Sequence, residues 1–151
     1  MPTRIDHPAY IVPDAMDALQ ALGAAVGKGG VSETTINLVL MRASQINGCG
    51  TCLEGHARHA RKDGETDERL ATVAAWRETP YFTDAERAAL ALTEAVTRLA
   101  DRSDPVPDAV FAEAAAHYDE RQLATLVLAI ANINVWNRLN VATAQIAGGE
   151  W

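Results

Sequence analysis

Residues 123–141 are the stretch that most constrains the fold, because they are apolar on almost every side of a helix. A helix without a polar face is normally the centre of a bundle or part of a subunit interface. Its most apolar part, residues 123–131, ends at Asn132 and is far shorter than the ~20 residues that span a bilayer. We therefore expect a buried helix and no membrane partner.

The rest of the chain also has a helical pattern. No segment alternates with a period of two, and aromatic residues make up only 5% of the chain, so strands are not expected. Prolines 8 and 13 are expected to delay the first helix. Capping residues and breaks then predict helices over residues 14–26, 32–47, 49–62, 66–76, 84–101, 108–118 and 119–141. The predicted fold class is all-α, a bundle of six or seven helices in a single domain over residues 1–151, with a loose tail at 148–151.

Two of these helices have an identifiable core face. The helix over residues 32–47 has so many apolar positions that it should lie deep in the core. The helix over residues 84–101 should direct four side chains inward: Leu90, Leu92, Val96 and Leu99.

The charge and the N-terminal residues indicate which partners and which cellular location to expect. The formal net charge is -7, which repels phosphate backbones and anionic lipid and argues against a nucleic-acid or membrane-surface role. The first ten residues contain Arg4, Asp6 and two prolines where a secretory signal would need an unbroken apolar run. A cytoplasmic location is expected.

Cys49 and Cys52 are the two cysteines of the chain. A domain of 151 residues buries enough surface to fold without a disulfide framework, so both are available for chemistry. In a reducing cytosol, cysteines separated by two residues are more often catalytic or metal-binding than structural.

The spacing of Cys49, Cys52 and His56 predicts one reactive face. If a helix begins at the preceding Asn-Gly turn, the three side chains lie three and four residues apart on the same side. Unpaired N–H groups and the helix dipole at such a start favour a thiolate. His56 can take the proton of Cys52, and Cys49 can trap an oxidised Cys52 as a disulfide. These are the parts of a thiol peroxidase or a dithiol oxidoreductase.

Two other interpretations of the cysteines remain open. Both can be small buried core residues, since cysteine is among the most buried residue types. Zinc also accepts a set of Cys49, Cys52 and His56, but it would need a fourth ligand from elsewhere, such as His117. The sequence favours redox chemistry without a metal or cofactor over zinc.

Residues 38–49, together with Cys52, His56 and residues 60–66, resemble the core motif of the AhpD-like alkylhydroperoxidases in the carboxymuconolactone decarboxylase superfamily. The core motif covers about residues 30–66, and residues 76–82 and 133–138 resemble the peroxidase-related branch. The resemblance implies an all-α fold and a homo-oligomer, commonly a trimer or hexamer.

The resemblance also implies a role for each site residue. Cys52 matches the thiol that attacks the hydroperoxide, Cys49 the resolving thiol, and His56 the proton-relay histidine. A dithiol partner such as a lipoylated protein would reduce the resulting disulfide. By the same resemblance, Trp136 and Asn137 are candidate pocket residues.

Asn37 departs from the family pattern. The family has a glutamate twelve residues before the first cysteine, and an amide in its place cannot accept and release a proton at neutral pH. Glu33, one turn earlier, and His59, seven residues after Cys52, are candidate substitutes. Two functions follow: a hydroperoxide-reducing antioxidant enzyme, or a non-catalytic or redox-sensing member of the fold with an impaired relay.

Overall fold

The computed structural model describes residues 2–148, so that of the expected tail only Gly148 is included. The described residues form eight α-helices and one 3₁₀ helix, and none of them lies in a strand. In chain order the elements are α1 (Pro8–Ile11), α2 (Ala15–Gly27), α3 (Glu33–Asn47), α4 (Gly50–Lys62), α5 (Asp67–Thr72), the 3₁₀ helix (Val73–Glu78), α6 (Asp84–Thr97), α7 (Asp108–Ala115) and α8 (Glu120–Ala142). The all-α fold class is confirmed.

Side-chain caps place most of the helix starts where the sequence predicts them. The Ser32 hydroxyl accepts a hydrogen bond from the N–H of Thr35 at the start of α3. Capping boxes open α6, where Thr83 pairs with Glu86, and α8, where Asp119 pairs with Gln122.

The expectation of six or seven helices is wrong, because two local features were not foreseen. Pro8 does not delay helix formation but occupies the first turn of α1, where its missing N–H costs nothing. The single helix predicted over residues 66–76 is divided into α5 and the 3₁₀ helix, and Ala75 has non-helical backbone angles.

The predicted helix over residues 84–101 is too long by four residues. The backbone leaves the helical conformation at Arg98 (φ -100°, ψ 58°), so α6 ends at Thr97. Leu99 is consequently 53% exposed rather than in the core, whereas Leu90 and Leu92 are fully buried as predicted. Val96 is partly buried against the main core cluster.

The central helix α3 packs against α8, α6 and α4, which confirms its predicted place deep in the core. The main core cluster contains Val39 of α3, Leu92 of α6, and Leu126 and Ile130 of α8. The opposite side of α8 is exposed at Val127, Leu128, Val135 and Val141. The long apolar helix is therefore buried along one side only.

Glu94 of α6 ties the 3₁₀ helix to the core. Its carboxylate accepts hydrogen bonds from Arg42 (2.8 Å), Arg77 (2.8 Å) and the indole of Trp76 (3.0 Å). Burial alone would raise the pKa of Glu94, but these donors hold it below its ordinary value.

None of the helices in residues 2–148 is long and apolar enough to cross a membrane.

The end of α6 can be tested by a matched pair of substitutions. Leu92→Ala should lower the free energy of unfolding by about 2–5 kcal/mol, because it removes fully buried methyl groups and leaves a cavity. Leu99→Ala should change it by about 0.5 kcal/mol or less, as expected for an exposed position. Urea denaturation measures both, and equal losses would contradict the end of α6 at Thr97.

Candidate active site

The site begins at the sharp junction between α3 and α4. Gly48 ends α3 in the left-handed region (φ 66°), a conformation that glycine adopts without steric cost. Cys49 is then the N-cap of α4, and its sulfur accepts a hydrogen bond from the N–H of Cys52 at 3.3 Å. The two cysteines form a disulfide, with Cα atoms 5.4 Å apart. The Asn-Gly turn thus places both sulfurs at the start of a helix.

A cavity of about 440 Å³ opens beside Cys52. Its walls come from α2, α3, α4 and α8, and its apolar lining includes Leu40, Ile133 and Trp136. His56 and Arg58 supply its titratable side chains, and Asn132 and Asn140 supply amides. Cys49 is not part of this wall and is only 1% exposed, compared with 8% for Cys52.

His56 is held in its neutral form. Burial, with a smaller contribution from the charge of neighbouring His59, lowers its pKa from the ordinary 6.5 to about 4. A neutral imidazole at pH 7 can accept a proton, which a charged one cannot do. On the wall that it shares with Cys52, His56 can therefore relay a proton, but with a pKa this low it does not retain one at pH 7.

His56 also lines a second cavity, of about 600 Å³, and this cavity brings the candidate relay residues together. Its lining includes all three of them: Glu33, Asn37 and His59. His59 Nε2 lies 4.0 Å from a Glu33 carboxylate oxygen. The amide of Asn37 donates to Asp63 Oδ2 at 3.3 Å, and so it is already engaged as a donor.

Asp63 was missed by the sequence analysis. It lies at the C-cap of α4, and Asp63 Oδ2 is 3.3 Å from His59 Nε2 as well as from the Asn37 amide. Its four-residue spacing from His59 is the signal that could have revealed the contact.

The two candidate pocket residues differ in position. Trp136 lines the 440 Å³ cavity, but Asn137 does not. Asn137 is fully buried, donates to Ser44 Oγ at 3.0 Å and accepts from Asn47 at 2.9 Å. One residue further along an α-helix is a rotation of about 100°, which turns Asn137 away from the cavity and into the α3–α8 interface. The expectation for Asn137 is corrected accordingly.

Asn140 and His7 are two further site residues that the sequence analysis missed. Asn140 lines the cavity, and its amide donates to the Cys52 sulfur at 3.3 Å. Its spacing of four residues from Trp136 could have indicated a shared face. His7 is buried and stacks on Trp136 with ring centroids 5.6 Å apart. No local pattern predicts that long-range contact.

His117, the candidate fourth zinc ligand, lies just after α7, where it contacts Glu113 at 3.4 Å. Within residues 2–148, the metal-ligating side chains that cluster are Glu33, His59 and Asp63, all exposed. That set includes neither cysteine, nor His56, nor His117.

The protein is therefore all-helical, with a disulfide-bonded cysteine pair at a helix start and a neutral histidine on a largely apolar cavity. The profile of the Carboxymuconolactone decarboxylase family matches residues 13–95, more than half of the chain. The chain belongs to this family, and within the superfamily it is an AhpD-like member.

Three relatives support this assignment. YdfG, an uncharacterized protein of Bacillus subtilis (strain 168), is 36% identical over 140 residues, which are 93% of this chain and 94% of the relative. A crystal structure from Agrobacterium tumefaciens is of a protein of unknown function proposed to be the antioxidant defence protein AhpD. It superposes on this structure with a TM-score of 0.90 at 35% identity, and the match covers 99% of this chain and 100% of the Agrobacterium chain. The alkyl hydroperoxide reductase AhpD of Hyphomonas neptunium (strain ATCC 15444) is 40% identical over 45 residues, 30% of this chain and 25% of the relative.

The protonation of His56 can be followed by NMR in the oxidised protein. We expect a midpoint near pH 4 and, in His59→Gln, a higher midpoint that still lies below 6.5, because burial is the larger cause. Between pH 6.5 and about 4 the unfolded chain binds more protons at His56 than the folded one, so the free energy of unfolding should fall as the pH falls through that window. A His56 midpoint at or above 6.5 would contradict this environment.

Proposed function

We propose that the protein is a thiol-dependent peroxidase that reduces hydroperoxides through a Cys49–Cys52 disulfide cycle. The observation that carries the proposal is the position of Cys52: it is bonded to Cys49, yet it lies on the wall of the 440 Å³ cavity beside neutral His56. Cys49 is almost fully buried behind it. This asymmetry favours Cys52 as the attacking thiol and Cys49 as the resolving thiol.

The first half of the cycle oxidises the cysteines. His56 takes the proton of Cys52, and the Cys52 thiolate attacks an oxygen of the hydroperoxide, so that an S–O bond forms, the O–O bond breaks and an alcohol leaves after protonation. The Cys49 sulfur then attacks the Cys52 sulfenic acid. An S–S bond forms, the S–O bond breaks and water leaves. The product is the disulfide present in this structure.

The second half of the cycle requires a dithiol. One thiolate of the reductant attacks the Cys49–Cys52 disulfide, and the second thiol resolves the mixed disulfide, so that two electrons return to the cysteines. The resemblance to AhpD-like proteins suggests a lipoylated protein as the physiological dithiol. An extended dithiol arm suits a sulfur that lies on a cavity wall rather than on an open surface.

The proton released by Cys52 needs a path beyond His56. Because His56 lines both cavities, the proton can pass through water in the second cavity to a carboxylate. Asn37 cannot take it, and Glu33 is the carboxylate on that wall, within 4.0 Å of His59. Glu33 and His59 therefore replace the missing family glutamate in this proposal, at the surface rather than in the core. We expect slow turnover.

A redox sensor is the second candidate function, and the Asn37–Asp63 hydrogen bond favours it. That bond fills the relay position with a structural contact. In this alternative the cysteines oxidise once and are not efficiently recycled. Either function would act in a homo-oligomer, such as a trimer or hexamer, with the exposed apolar side of α8 as the proposed contact surface.

The proposed function is tested by following the consumption of cumene hydroperoxide with dihydrolipoamide as the dithiol. Wild-type protein should turn over many times, and Cys52→Ser should not react because the attacking sulfur is gone. Without the dithiol, Cys49→Ser should consume one equivalent and retain a sulfenic acid on Cys52 that dimedone traps, whereas wild type should form the disulfide instead. His56→Gln should lower the rate by about 10²-fold, within the range for loss of a general base.

His117→Gln is the matched control, since its imidazole lies beside Glu113 after α7 and lines neither the 440 Å³ nor the 600 Å³ cavity. Its rate should equal that of wild type. A wild-type protein that stops after one equivalent would contradict the peroxidase and support the sensor. If the relay is impaired rather than absent, Asn37→Glu should raise the turnover rate, by about 10-fold.

A further inference from the structure

The Cys52 sulfur has a second polar neighbour besides His56, namely Asn140. The side-chain amide of Asn140 donates to it at 3.3 Å, from a position that is 4% exposed. An amide N–H directed at a sulfur stabilises the thiolate more than the neutral thiol, because a bond to a charged acceptor is stronger. Its effect depends on the amide being held with its nitrogen toward the sulfur.

The protonation of His7 fixes that orientation. Its Nδ1 atom accepts a hydrogen bond from the N–H of Ala9 at 3.2 Å and therefore carries no proton. Burial lowers the pKa of His7, and the side-chain hydrogen bond with Asn140 opposes part of that effect. The neutral ring accordingly has its proton on Nε2, which can only donate.

Asn140 Oδ1 is buried, is the one acceptor of that side chain, and accepts no hydrogen bond of normal geometry within the described residues. The His7 side chain interacts with this amide, and a ring Nε2–H can pair only with Oδ1. That pairing leaves the Asn140 nitrogen facing Cys52. With the amide reversed, two N–H groups would face each other.

The N-terminal segment is anchored so that His7 stays in place. The backbone N–H of Arg4 donates to the carbonyl of Thr143 at 2.9 Å, and the Arg4 guanidinium donates to the carbonyl of Ala142 at 2.9 Å. Gln145 donates to the carbonyl of Ile5 at 3.1 Å. These bonds attach the chain before α1 to the end of α8, next to Asn140. Both His7 and Asn140 lie outside the part matched by the family profile.

We propose that His7 and Asn140 form a positioning pair in which the imidazole fixes the amide and the amide stabilises the thiolate of Cys52. The proposal rests on the proposed function in that Cys52 is the reactive thiol. The other titratable or charged side chains on the walls of its cavity are His56 and Arg58, and Arg58 is paired with Glu54.

The test is the pH profile of alkylation of the reduced protein by iodoacetamide, with Cys52 modification read by peptide mass spectrometry. Asn140→Leu removes the donor at similar volume and should move the midpoint upward by about one pH unit, a tenfold smaller thiolate fraction at neutral pH. His7→Phe keeps the stack on Trp136 but loses the Nε2–H, and it should move the midpoint in the same direction by a smaller amount. His7→Gln restores a donor and should recover most of the shift.

Gln122→Leu is the control on α8, because the Gln122 side chain bonds to the Asp119 N–H and the Gly30 carbonyl at the start of the helix and not to the sulfur. It should leave the midpoint unchanged even if it lowers stability. An Asn140→Leu midpoint equal to that of wild type, or an equal shift in Gln122→Leu, would overturn the proposal. A normal midpoint in His7→Phe would remove His7 from the pair. No peroxide is used, so failure here is distinct from failure of the peroxidase assay.

Discussion

The contact between α3 and α8 is the constraint on which the site depends. Its buried polar part is a set of amides and a hydroxyl: Asn137 bonds to Ser44 and Asn47. These bonds fix the end of α3, and Gly48 then turns the chain directly into α4. The positions of Cys49 and Cys52 follow, because they occupy the N-cap and first turn of that helix.

The Cys52 sulfur is surrounded by groups that each favour one state of the proposed cycle. His56 is neutral and can relay a proton, Asn140 donates to sulfur, and the unpaired N–H groups of the helix start favour negative charge. Cys49 is bonded to Cys52, which is the state that would end each proposed oxidation. The apolar cavity wall lowers the local dielectric, which strengthens these interactions. In the proposed cycle, Asn37 in place of the family glutamate affects where the proton goes and not whether the thiolate forms.

Local patterns in the sequence are enough to predict the fold class, most helix starts and the shared wall of Cys52 and His56. Cys49, which was expected on the same face, is buried behind Cys52 because it is the N-cap rather than part of the first turn. Capping residues act within one turn, so Ser32, Thr83 and Asp119 can be recognised by spacing alone. The end of α6 carries no glycine or proline, and Leu99 was therefore placed wrongly. His7 lies 133 positions from Asn140, and only tertiary structure brings them together. Asn137 was assigned to the pocket by resemblance, but helix geometry turns it into the core.

The central claim is that the fold, rather than the local CxxC sequence, makes Cys52 reactive. The most direct measurement is the second-order rate at which one equivalent of cumene hydroperoxide converts the reduced protein to the Cys49–Cys52 disulfide, in the native state and in urea. A native rate at least about 10²-fold above that of the unfolded chain, after correction for the effect of urea on a free dithiol, is the predicted result. Equal rates in the two states would contradict the account.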